Sequence, residues 1–159
     1  MKKRVYIETT IVSYLTARPN RDLIRMAHQQ ITLEWWEQYR HEFSLYVSQL
    51  VLDEAAKGDP DAAKRRRSAI HSLPLLPLTE EAIVLAERLV ASGLVAEKAA
   101  TDALHLAVAA THRMDFLLTW NCRHLANARM LTEIGRFLRT IGYEFPFVCT
   151  PEELMGGES

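Results

Sequence analysis

Cysteine is scarce. Two residues in 159, Cys122 and Cys149, make no disulfide framework, which favours a reducing compartment, and Cys122 has no neighbouring cysteine at metal-site spacing. An excess of positive charge is also missing. Nineteen Lys and Arg against twenty Asp and Glu leave a net charge of -1, so any nucleic-acid binding must rest on local basic patches. No apolar run is long enough to span a membrane. The start, Met1-Lys2-Lys3-Arg4 and then only Val5, Tyr6 and Ile7 before Glu8, is too short for a signal peptide's apolar region. A cytoplasmic protein with no membrane partner is expected. Glycine is absent after the first strand, where Thr9-Thr10-Ile11 cannot cradle a phosphate, which weighs against a flavodoxin-like small-ligand binder. Repeats, low-complexity tracts and linkers are absent too, so residues 1–159 read as a single domain able to bury a substantial core.

What is there is the composition of an ordinary globular protein, 48% apolar and 25% charged. Val5-Tyr6-Ile7 is an uninterrupted strand pattern of the kind buried on both faces. Thr9 is expected to cap a short helix to about Ala17, ended by Arg18-Pro19-Asn20. A long helix from Leu23 to about Arg40 carries Ile24, Ala27, Ile31 and Trp35 as one apolar stripe, widened by Trp36 and Tyr39. Strands follow at 44–48, 73–78 (proline-bearing, hence an edge), 115–119 and 147–149. Between them lie helices at about 49–57, 61–72, 79–92, 96–113 and 128–141. Ser92-Gly93 and Gly142 serve as stops, and Thr150-Pro151-Glu152-Glu153 is a helix start. Strands alternating with helices predict an α/β layer fold around a mostly parallel sheet of four to five strands.

Three acidic positions share one logic. Glu8 leaves the first strand directly, where a charge needs a partner, a donor or a metal. Open parallel sheets bind ligands at that edge. Glu54 follows Leu50 and Val51 by four and three residues and so lies on the inward face of its helix, whereas Asp53 aligns with Gln49 and Lys57 and faces water. Asp102 shares a stripe with His105, Leu106 and Ala109. Right-handed crossovers bring these elements to one sheet edge, where three converging carboxylates repel unless a hard cation neutralises them. Oxygen ligation of this kind suits Mg²⁺ or Mn²⁺ and phosphodiester hydrolysis. The plainer alternatives are that Glu8 complements a helix dipole and that Glu54 and Asp102 are salt-bridge members.

The ordered set Val5-Tyr-Ile-Glu-Thr-Thr10, Ser48-Gln-Leu-Val-Leu-Asp-Glu54, Asp102-Ala-Leu-His-Leu-Ala107 and Leu117-Leu-Thr-Trp-Asn121 resembles PIN domains, in particular VapC-like toxin ribonucleases of type II toxin–antitoxin systems. The resemblance spans nearly the whole chain. It implies a PIN-like three-layer fold and a metal-dependent endoribonuclease, with Glu8, Glu54 and Asp102 on Mg²⁺ or Mn²⁺. It also implies an RNA substrate, a small antitoxin and a homodimer. Two positions depart from the family pattern: Glu8 and Asn121 stand where it has aspartates. Asn121 keeps an oxygen but no charge, giving it a supporting role and favouring the alternative of a weak or inactive PIN-like module that binds RNA or protein.

Thr9, Thr10 and Thr119 can support the carboxylates or cap local structure. Arg123 and His124, next to Asn121, are candidate phosphate contacts. So is His105, although a histidine between helices is more often satisfied by a backbone carbonyl. Lys64-Arg65-Arg66-Arg67 reads as a solvated helix face.

Overall fold

The computed structural model describes residues 1–123, 125 and 127–156. Strands β1 (Lys3–Ile7), β2 (Phe43–Ser48), β3 (Leu75–Leu76), β4 (Phe116–Leu118) and β5 (Phe147–Cys149) form one sheet in the order β3-β2-β1-β4-β5. Every pairing is parallel. The central position of β1 explains its composition, since Val5, Tyr6 and Ile7 are fully buried between flanking helices. Seven α-helices are described: α1 (Thr9–Thr16), α2 (Leu23–Gln38), α3 (Gln49–Ala55), α4 (Pro60–Ile70), α5 (Glu80–Ala91), α6 (Ala100–Thr111) and α7 (Ala128–Thr140). The protein is therefore an α/β layer fold, as its alternating pattern predicts.

Topology positions the site. The chain moves outward from β1 through β2 to β3, then crosses back to lay β4 and β5 on the other side. Strand order reverses at β1, so the crevice outside the C-terminal ends of β1 and β4 is a topological switch point, the usual ligand position in open parallel sheets. Register then sets neighbours: Ile7 pairs with Leu118, and the Glu8 amide continues the ladder to the Leu118 carbonyl at 3.1 Å. Glu8 and Thr119 thus leave the sheet side by side. At the opposite edge the Arg4 amide donates to the Asp115 carboxylate at 2.8 Å, so Asp115 is remote from this crevice.

Several elements differ from their sequence-based expectation. Glu8, not Thr9, caps α1: its backbone is extended and its side chain accepts the Thr10 amide, because the Thr9 hydroxyl is engaged by Glu54 instead. On α2 the expected stripe holds only at its C-terminal end. Trp35 is fully buried, but Ile24 is 69% exposed and Ala27 is exposed as well, so the first turns stand clear of the core. The strand expected over 73–78 shrinks to Leu75–Leu76, with the Pro74 carbonyl accepting the Val47 amide beside it. The 96–113 segment opens with a 3₁₀ turn, Glu97–Ala99, before α6. The start at Thr150 leads only into a 3₁₀ turn, Pro151–Leu154, although the Thr150 amide does reach the Glu153 carboxylate at 3.1 Å. Gly93 and Gly142, after α5 and α7, take φ of +81° and +92°, the left-handed conformation that stops a helix.

Candidate active site

Glu8 is 4% exposed at the C-terminal end of β1. Its Oε1 accepts the Thr10 amide at 3.2 Å, the Thr10 hydroxyl, and the hydroxyl of buried Thr119 at 2.6 Å. Glu54, on α3, is half-buried, and its Oε1 accepts Thr9 Oγ1 and His105 Nε2, both at 2.7 Å. Glu8, Glu54 and His105 each bring one ligand-type atom to within 4.8 Å of the others. Among the described residues every hydrogen bond received by the two glutamates ends on Oε1, and the one ion pair either makes is that of Glu54 with His105. Among the described residues neither is paired with a lysine or arginine at ion-pair distance.

Behind Glu54 runs a buried chain. His105, 1% exposed on α6, meets the Tyr6 hydroxyl through Nδ1 at 2.6 Å, and Tyr6 in turn meets Ser48 Oγ at 2.7 Å. A carboxylate can only accept, so Nε2 carries the proton toward Glu54. Nδ1 accepts from Tyr6 when the ring is neutral, Tyr6 then accepting from Ser48, and donates to the Tyr6 oxygen when the ring is protonated. Burial drives the Tyr6 phenol far above its ordinary range, aided by the charges of Glu8 and Glu54, so it stays a donor. For Glu54, burial pushes upward, but hydrogen bonds from His105 and Thr9, with the His105 and Lys57 charges, outweigh it and hold the carboxyl below the usual range.

The tight group holds two of the three expected carboxylates. Asp102, in the first turn of α6, is not in the tight group; His105, one turn further along the same helix, takes that place. Glu54 turns its oxygen to His105, and Asp102 accepts from Asn121 Nδ2 at 3.5 Å. Asn121 is anchored by its own amide to Thr119 Oγ1 at 2.9 Å, so Asp102 and Asn121 form a second polar pair beside the glutamates. His105 is not satisfied by a backbone carbonyl. Both of its ring nitrogens are held by side chains, and it is shielded from solvent.

Thr9, Thr10 and Thr119 all touch the glutamates. Arg123 is exposed just beyond Asn121, and His124 lies outside the described residues. The basic run of α4 is only partly solvated. Arg65 donates to the Thr16 carbonyl at 3.1 Å, and Arg66 donates to the carbonyls of Ala55 and Lys57, so these two satisfy the ends of α1 and α3. Sequence reasoning missed Tyr6 and Ser48. The available signal was a tyrosine inside a strand buried on both faces, whose hydroxyl requires a partner. It also missed an aromatic group beside the site, formed by Trp120, His28 and Tyr14.

No protein-family model matches the sequence, and no curated protein matches it either. Solved structures do match by fold. The VapBC2 complex of Rickettsia felis, bound to a DNA fragment from its promoter, aligns with TM-score 0.58 and 13% identity, over 92% of this chain and 98% of that one. VapC20 of Mycobacterium tuberculosis, a toxin that cleaves the sarcin-ricin loop, aligns with TM-score 0.56 and 14% identity, over 78% and 94%. At such identities the likeness establishes architecture alone, and this chain has the fold of those VapC structures, a PIN-like α/β fold.

Proposed function

We propose that this protein is a metal-dependent endoribonuclease, the toxin half of a toxin–antitoxin pair. The observation that carries the reading is the pair of glutamates at the switch point, sharing a 4.8 Å cluster with no lysine or arginine bound to either among the described residues. Oxygens on one Mg²⁺, each held at about 2.1 Å, stand about 4.2 Å apart at most, so a cluster within 4.8 Å needs only a small inward shift of its side chains to share Mg²⁺ or Mn²⁺. The donor set fits as well: oxygens of hard character, each glutamate oriented through Oε1, with no donor to either Oε2 among the described residues. Glu8 and Glu54 would hold the ion, with Asp102 completing the acidic rim and Asn121 supporting Asp102. When bound, such a cation supplies an activated water and positive charge for the phosphoryl oxygens.

The chain's own residues do the rest. Thr9, Thr10 and Thr119 fix the carboxylate planes. The Ser48–Tyr6–His105 chain fixes Glu54 from behind, and Arg123 offers a cation to a substrate phosphate at the rim. The antitoxin reading draws support from the VapBC2 complex and from Leu23, Ile24 and Met26, which leave an apolar surface on α2 for a small antitoxin or a second copy of the chain. A second reading, a weak or inactive binding module, is favoured by Asn121, which adds no charge to the rim.

Ribonuclease assays with Mn²⁺ against chelator separate the two. The enzyme reading expects cation-dependent cleavage, reduced in Glu54→Gln and Asp102→Ala by at least the ~10–100-fold that losing a supporting group at a metal site costs. Cleavage indifferent to chelator, or retained in both variants, would overturn it. Absence of cleavage by the unaltered protein across many RNAs supports the module.

A further inference from the structure

The loop that carries Asn121 also carries an aromatic stack. Trp120 and His28 of α2 lie face to face, with centroids 4.0 Å apart and planes 13° apart. Tyr14 of α1 meets both edge-on, at 5.7 Å from His28 and 6.2 Å from Trp120. The stack is fixed. The Trp120 indole donates to Thr32 Oγ1 at 2.7 Å, and Thr32, fully buried, donates to the His28 carbonyl at 2.6 Å. It is also tied to the carboxylates, because the Trp120 amide donates at 2.8 Å to Thr10 Oγ1, the hydroxyl that holds Glu8. All three rings are only half-buried, unlike Trp35 on the same helix. Arg25, one turn before His28 on α2, and Arg18 and Arg21 on the preceding connection are exposed, and none forms an ion pair among the described residues.

We propose that the Trp120–His28 stack, with Tyr14 at its edge, is a platform for a base of single-stranded RNA, seating the nucleotide next to the phosphate presented to Glu8 and Glu54. This rests on the nuclease reading of that site. Proteins that hold single strands join a cationic track for the backbone to aromatic faces for successive bases, and each stacked base contributes about 1–3 kcal/mol irrespective of its identity. Both parts are present here, on α2 and on the connection preceding it. Rigid pinning of the indole means that little side-chain freedom is lost when a base arrives. A base beside the cleaved phosphate would have to be unpaired, so the platform selects loops and single strands over duplex.

The test uses Glu54→Gln protein, silenced for cleavage, with a fluorescent single-stranded oligoribonucleotide and the same oligomer carrying abasic riboses. Binding of the intact oligomer is expected to weaken about tenfold with His28→Ala or Trp120→Leu, to be largely kept with Trp120→Phe, and to fall similarly for the abasic oligomer. Equal binding of intact and abasic oligomers, or no loss in a His28→Ala variant with unchanged circular dichroism and melting temperature, overturns the platform. Cleavage by protein with Glu54 intact is read separately. Base-dependent binding with no cation-dependent cleavage sinks the nuclease and leaves the platform standing. Cation-dependent cleavage that His28→Ala leaves unchanged, on the same oligomer, does the reverse.

Discussion

Glu8 and Glu54 approach each other from a strand end and a helix, 46 positions apart in sequence, and both enter a partly buried crevice. Like charges brought this close repel in the cation-free state; at Glu54 the hydrogen bonds and neighbouring charges outweigh the opposing cost, whereas Glu8 receives only the neutral donors of Thr10 and Thr119. Glu8→Gln keeps an acceptor oxygen for Thr10 and Thr119 and removes one charge. In chelator it should therefore unfold later than the parent, by about 1 kcal/mol, a stability gained at the expense of function. With Mn²⁺ at about a hundred times its dissociation constant the parent should gain about 2.7 kcal/mol and the variant far less. Denaturant melts of both proteins, with and without Mn²⁺, check this; a variant less stable than the parent in chelator would show that no repulsion is stored there. Glu8 and Glu54 were both readable in the sequence, the one as a charge directly after an apolar strand, the other from its i−3 and i−4 apolar neighbours. Asp102 was readable as inward-facing only. Residues 102 and 105 share one helical stripe, and pattern alone does not fix which turn of the helix lies opposite Glu54.

Helices and strands were readable where one residue type had one meaning. Val5-Tyr6-Ile7 could only be a buried strand, Gly93 and Gly142 could only be stops, and a proline-bearing segment could only reach the edge of the sheet. The apolar period of α2 was misleading because an amphipathic stripe says that a face is to be covered, not that the chain itself covers it. Trp35 meets the core, whereas Leu23, Ile24 and Met26 remain 74%, 69% and 44% exposed. That distinction gives α2 its own prediction. Leu23→Gln with Ile24→Gln removes no buried contact, so unfolding stability should stay within about 0.5 kcal/mol of the parent. If this half of α2 is an association surface, the same pair should shift the oligomeric state in size-exclusion chromatography or release a co-expressed antitoxin. A loss of several kcal/mol would instead mean that these turns pack against the protein's own core.

For the molecule as a whole, the acid limb of stability reports on the same site without any cation. The Glu54 carboxyl is held below its ordinary value, so between that value, about 4.3, and its lower folded one the unfolded chain binds more protons than the native protein. Stability therefore rises with pH across this window. The contribution from Glu54 is fully present above about pH 5, and it fades as acid protonates the native carboxyl and breaks its acceptance of Thr9 and His105. Glu54→Gln has nothing to protonate. Chelated parent and variant should accordingly diverge at neutral pH and converge as pH falls toward 3, the variant's curve being flatter across the window. Urea midpoints measured from pH 3 to pH 7 read this directly. Parallel curves would mean that Glu54 titrates alike in both states, and would remove the hydrogen-bonded, preorganised carboxylate on which the proposed cation site at the switch point rests.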